Sequence, residues 1–111
     1  MSTENPIGRS EPDNLYAGYF PEAKETRTIP ADTEVRRGDI LGADFKPIIS
    51  GGTVDCIALD DITASSAIRV CTVSETGMFN INALSTGDNT TPEDWKADLR
   101  KLQIHLRHPA P

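Results

Sequence analysis

VDCIALDDITASSAIRVCTVSETGMFNIN, residues 54–82, is the stretch whose reading decides the fold. Two apolar runs rich in β-branched residues, 54–59 and 68–73, flank the polar break Asp60-Asp61-Ile62-Thr63-Ala64-Ser65-Ser66, a pattern of strand, turn, strand. A third run follows the turn Ser74-Glu75-Thr76-Gly77, with Met78, Phe79 and Ile81 set among polar residues. The whole segment predicts a β-meander core in which Ile57, Leu59, Ile68, Val70 and Phe79 pack inward. No reactive constellation lies within it.

Downstream, the sequence predicts one short amphipathic helix. Thr91 is a good N-cap, Pro92 fits the first turn where its missing N–H is harmless, and Glu93 and Asp94 set negative charge at the positive end of the helix dipole. Trp95, Leu99 and Leu102 fall at i, i+4 and i+7 and form an apolar stripe, which places all three in the core. Such a short helix is marginal alone, so its stability depends on docking Trp95 against a sheet. Gln103-Ile104-His105-Leu106 then alternates polar and apolar and predicts a closing strand.

Upstream, residues 1–14 are dominated by Ser, Thr, Glu, Asn, Pro, Gly and Asp and read as a mobile arm. Leu15-Tyr16-Ala17-Gly18-Tyr19-Phe20-Pro21 follows and holds three of the six aromatics, a composition that favours extended structure buried against something. Residues 22–28 are charged and polar. Ile29-Pro30 predicts an edge strand or a turn, because proline donates no ladder hydrogen bond. Gly38-Asp39 supplies a tight turn before Ile40-Leu41, and Phe45-Lys46-Pro47-Ile48-Ile49 is a further short apolar run closed by Ser50-Gly51-Gly52.

Length and charge bound the possible roles. The 111 residues suit one domain, and a globule of this size hides only about 60–70% of the surface of its unfolded chain. The core is therefore thin, and burial in an oligomer or a larger assembly would help it. A net charge of −6 argues against nucleic acid or an anionic membrane as partner, since neutralising phosphates requires clustered Lys and Arg. No run has the length of a transmembrane helix and residues 1–10 lack the apolar centre of a secretory signal, which predicts a cytosol-like compartment. In that setting Cys56 and Cys71 read as two buried thiols rather than a disulfide. His105 and His108 lack the spacing of a zinc site, so no metal and no cofactor is expected.

Catalysis finds little support. Asp60 and Asp61 are adjacent in an extended segment, so their carboxylates face opposite ways, and they read as a solvated turn. No Gly-x-Ser-x-Gly elbow and no phosphate-binding glycine loop occurs, and a non-enzymatic role is expected.

Five segments taken in order carry a family likeness: Leu15-Tyr16-Ala17-Gly18-Tyr19-Phe20-Pro21, Arg37-Gly38-Asp39-Ile40-Leu41-Gly42, Cys56-Ile57-Ala58-Leu59-Asp60-Asp61-Ile62, Thr76-Gly77-Met78-Phe79-Asn80 and Leu99-Arg100-Lys101-Leu102-Gln103-Ile104. Their order and spacing resemble the lambda-type head decoration proteins of tailed bacteriophages, over residues 15–106. The resemblance implies an α+β, mostly β fold with a β-tulip-like core, a homotrimer on the outside of the expanded phage head, and the major capsid protein as partner. It implies a virion location, with the host cytoplasm during assembly, and a role as cement against internal DNA pressure. Residues 1–14 would be the arm, 15–106 the folded domain and 107–111 a tail, with Pro6, Ile7, Leu15, Tyr16, Tyr19 and Phe20 as the capsid-binding set. Two other readings stay open: a trimeric fibre or adhesion module using the Arg37-Gly38-Asp39 turn or the glycine loops to hold a receptor, and a biotinyl- or lipoyl-type carrier domain, whose hairpin lysine would have to be Lys46.

Overall fold

The computed structural model describes residues 14–18 and 20–108. The domain is α+β and mostly β. Its strands are β1 (Lys24–Ile29), β2 (Ile40–Gly42), β3 (Val54–Ala58), β4 (Arg69–Ser74), β5 (Gly77–Asn80) and β6 (Ile104–Arg107). A 3₁₀ turn at Ile81–Ala83 follows β5, and a second at Pro92–Trp95 runs directly into α1 (Lys96–Arg100). Four strands form an antiparallel sheet in the order β1-β4-β3-β2, and β5 and β6 form a separate parallel pair.

The strand–turn–strand reading of residues 54–73 holds as the β3–β4 pair, but the third run leaves the sheet, which corrects the expected meander. Ser74 Oγ donates to the Thr76 carbonyl at 2.6 Å and turns the chain at the end of β4. Gly77 has φ of 155°, and a Cβ there would stand 2.9 Å from Phe79 Cε2, so the position demands glycine. The 74–77 connection is also tied to the segment before β1. Thr76 Oγ1 donates to the Pro21 carbonyl at 2.8 Å and accepts from the Ala23 N–H at 2.9 Å, and the Glu75 N–H donates to the Ala23 carbonyl at 2.7 Å. β5 consequently pairs with β6 in parallel, with Gly77 opposite Ile104 and Phe79 opposite Leu106. A parallel pair needs a long crossover, and residues 81–103, which include α1, supply it.

β3 lies at the centre and is buried on both faces, as its nearly continuous apolar run suggests. Ile57 and Leu59 join Leu15, Ile40, Phe79, Trp95, Leu99, Ile104 and Leu106 in one cluster. Cys56 and Ala58 join Ile29, Val35, Leu41, Cys71 and Val73 in a second. Of the expected core residues, Ile57, Leu59, Phe79, Trp95 and Leu99 are therefore buried.

Ile68, Val70 and Leu102 are not, with 65%, 62% and 39% of their surface exposed. In β4, alternate residues take opposite faces, and only the parity of Cys71 and Val73 meets the core. β3 pairs with β4 at Ile57↔Ser74 and Ala58↔Val73, and the Leu59 N–H just beyond it donates to the Thr72 carbonyl at 2.9 Å, so the start of β4 projects past this pairing beside β1 and leaves Val70 exposed. Leu102 fails for a different reason. The helix opens with a 3₁₀ turn of about three residues per turn and α1 ends at Arg100, so the i+7 position no longer shares the face of Trp95.

β1 arises from the residues whose charge hides a strand. Lys24, Glu25, Thr26 and Thr28 are exposed while Ile29 is buried, a composition suited to the sheet edge it occupies. Phe79→Ala, which empties the centre of the larger cluster, is expected to lower the unfolding free energy by about 3–5 kcal/mol, whereas Leu102→Gln should change it by less than about 1 kcal/mol; urea unfolding of both variants checks this.

Candidate functional site

The sequence directs attention first to the aromatic segment at the base of the N-terminal arm. Pro6, Ile7 and Tyr19 lie outside the described residues. Leu15 is fully buried, so it anchors the segment in the core instead of presenting a contact. Its carbonyl accepts the Asn80 N–H at 2.7 Å, the Asn80 Nδ2 donates to the Asn14 carbonyl at 3.0 Å, and the Ala17 N–H donates to the Met78 carbonyl at 3.2 Å. Tyr16 pairs antiparallel with Phe79, its ring stacked on the phenylalanine at 5.2 Å, and its hydroxyl donates to Glu22 Oε2 at 2.7 Å. Phe20 is half-buried and meets the His105 ring edge-on at 4.7 Å. Residues 14–17 thus run along the free side of β5, a third strand-like element beside the β5–β6 pair.

The Arg37-Gly38-Asp39 turn is built inward. Gly38 has φ of 98°, and a Cβ there would stand 2.6 Å from the Ala83 carbonyl oxygen. Its N–H donates to the Ala58 carbonyl at 2.9 Å, and its own carbonyl accepts the Ser85 N–H at 3.0 Å. Asp39 is 7% exposed and its Oδ2 accepts the Arg36 N–H at 2.8 Å. Arg37 is half-buried, with Nη1 donating to the Leu59 carbonyl at 3.0 Å. A receptor-binding use of this tripeptide would require its arginine and aspartate to face outward, and both are engaged within the fold.

Asp60 and Asp61 are exposed, as a solvated turn would have them, but each also holds a backbone group that sequence reasoning missed. Asp60 Oδ2 accepts the Thr72 N–H at 2.8 Å, and Asp61 Oδ1 accepts the Arg37 N–H at 2.9 Å. Only strand pairing brings these amides close, so no local signal announces the bonds. Cys56 and Cys71 are buried free thiols, and burial pushes both above the ordinary thiol range, Cys56 most strongly. Among the described residues no group of three His, Cys, Asp or Glu could hold a metal ion, and no helix is long and apolar enough to cross a membrane.

What remains as a candidate for recognition is surface. Val70 stands exposed in the β1–β4 ladder, with Thr28 opposite it and Thr26 opposite the half-buried Thr72, and the exposed Ile68 lies just ahead of β4. Residues 14–17 lie on the β5–β6 side. No protein-family model matches this chain, and no curated protein matches it significantly.

Two measurements follow from this geometry. Native protein should leave a thiol reagent such as dithionitrobenzoate unreacted over the time in which urea-unfolded protein reacts completely at both cysteines. Burial raises the Asp39 carboxyl above its ordinary value, against the opposing pull of the Arg36 N–H and charge. A raised folded value means that the native state holds the proton more tightly than the unfolded chain. The ionised Asp39 therefore opposes folding at neutral pH, and its contribution improves as pH falls through the folded value towards the unfolded one. Asp39→Asn keeps an oxygen for the Arg36 N–H and removes the buried charge. It is expected to melt at or above the parent at neutral pH and to lose that advantage in acid, while Asp39→Ala, which leaves the N–H unpartnered, should melt below Asp39→Asn throughout; thermal melts across the acid range check the sign.

Proposed function

We propose that this chain is a capsid decoration protein, which binds as a homotrimer to the major capsid protein on the outside of an expanded phage head and stabilises the shell against internal DNA pressure. The observation that carries the reading is how the five segments of the family likeness relate in space. Tyr16 pairs with Phe79; Ile40 and Leu41 pair with Ile57 and Cys56; Gly77 pairs with Ile104. The likeness thus falls on segments that build one another's environment, not on scattered surface matches. A likeness at this level speaks first to fold, and the step to function is an analogy from it.

Two surface features favour a structural, assembly-borne role. A trimer needs an apolar face to bury, and Ile68 and Val70 offer one. An arm that binds a shell needs a rigid base, and the hydrogen bonds of residues 14–17 to β5 provide it. Ordering an arm costs about 1–2 kcal/mol of backbone entropy per residue, so a single arm would bind weakly. Three arms on one trimer act at raised effective concentration, and avidity of about 10²–10⁴ becomes available without new contacts.

The decisive test is native mass combined with binding to expanded and unexpanded shells. A trimer that binds only expanded shells supports the reading; a monomer that binds neither refutes it. Deleting residues 2–14 is expected to abolish shell binding while leaving the trimer folded. Replacing Ile68 and Val70 together by Lys should instead convert the trimer to a folded monomer.

A further inference from the structure

A cavity of about 410 Å³ opens where α1, β5 and β6 meet the end of the aromatic segment. Its rim carries Lys96, Arg100, His105 and Arg107, and its apolar lining is Phe20, Met78 and Leu106. The cations converge for reasons of local geometry. Lys96 and Arg100 are four apart in α1 and share a helix face, while His105 and Arg107 are two apart in β6 and share a strand face. Met78 lies opposite His105 across the β5–β6 pair, and Phe20 packs against that imidazole.

This cluster is unlike the neighbouring charges. Lys101 meets Asp98 at 3.9 Å, His108 meets Glu93 at 3.7 Å and Arg27 is paired with Glu75. Among the described residues, Lys96, Arg100 and Arg107 have no carboxylate within ion-pair reach. Like charges four apart weaken a helix, and α1 is short enough to feel it. The chain as a whole is acidic, with a net charge of −6, so three uncompensated cations beside one cavity form a local reversal of its field.

We propose that this cavity binds an acidic peptide segment of a protein partner. One Asp or Glu carboxylate would sit between Lys96, Arg100 and Arg107, and an adjacent apolar side chain of the same peptide would lie on Phe20 and Met78. The size of the cavity suits one or two side chains. A nucleic acid fits poorly, because the acidic remainder of the surface repels a polyanion. A free phosphate would engage the rim and leave the apolar lining without a partner. The site does not rest on the capsid reading: any partner with an exposed acidic segment satisfies it, and Lys96→Gln with Arg100→Gln, which alters no residue of the capsid-binding set, would leave arm-dependent shell binding untouched.

The test is fluorescence anisotropy of a labelled short peptide of alternating Glu and Leu with the full chain, at low and high salt. Binding should weaken steeply with salt, and Lys96→Gln with Arg100→Gln should reduce affinity by at least about tenfold. Lys101→Gln, a cation on the same helical segment outside the cavity, should leave it unchanged, and circular dichroism and melting temperature of each variant establish that the fold is intact. Phe20→Ala provides the second arm and should weaken the Glu-Leu peptide while leaving a Glu-Ser peptide little affected. Binding that survives the double substitution, that falls as far in Lys101→Gln as in the double variant, or that is matched by inorganic phosphate or an oligothymidylate overturns the proposal, as does the absence of peptide binding at low salt.

Discussion

The fold depends on burying a single five-residue strand on both faces. β3 supplies Ile57 to one apolar cluster and Cys56 and Ala58 to the other, and neither cluster would be enclosed without it. A chain of this length cannot build a thick core, and dividing its apolar residues over two sides of one strand lets both halves share a wall. The hydrogen bonds at the Gly38-Asp39 turn follow from the same constraint. With β3 enclosed, its backbone groups must find partners within the protein, and the Gly38 N–H and Asp39 carbonyl serve those of Ala58.

The second organising element is the connection between β4 and β5. Without the Thr76 side chain holding residues 21–23, and the glycine at position 77, the chain would continue as the hairpin that its pattern suggests. The break frees β5 to accept residues 14–17 on one edge and β6 on the other. Residues 14–17, the short helix and the closing strand are thereby gathered on one side of the molecule, away from the exposed face of β4.

The legible parts of this architecture are those in which a residue's neighbours along the chain determine its state. The apolar runs of β3 and β4, the helix start at Thr91 with its Asp94 capping partner, and the closing strand at Ile104 all rest on local chemistry. The structure departs from the reading where a distant partner decides. Ile68 and Val70 belong to a good β pattern, yet whether a face is covered depends on how far β3 extends beside them. β1 carries too much charge to look like a strand and forms one because β4 offers six paired positions. The candidate recognition surfaces were legible only in part: Tyr16 and Phe20 stand out by composition, whereas Lys96, Arg100, His105 and Arg107 converge only through the parallel pairing of β6 with β5.

The attachment of the N-terminal segment has a mechanical consequence. Residues 14–17 lie antiparallel to β5, so a pull along the strand from residue 14 loads the Asn14, Leu15 and Ala17 contacts in shear, all at once. Peeling would break them one after another at far lower force. Leu15, seated in the core, adds a plug that must be drawn out of apolar surroundings before the segment can slide. Anything tethered through this segment is therefore held most firmly against forces directed along β5.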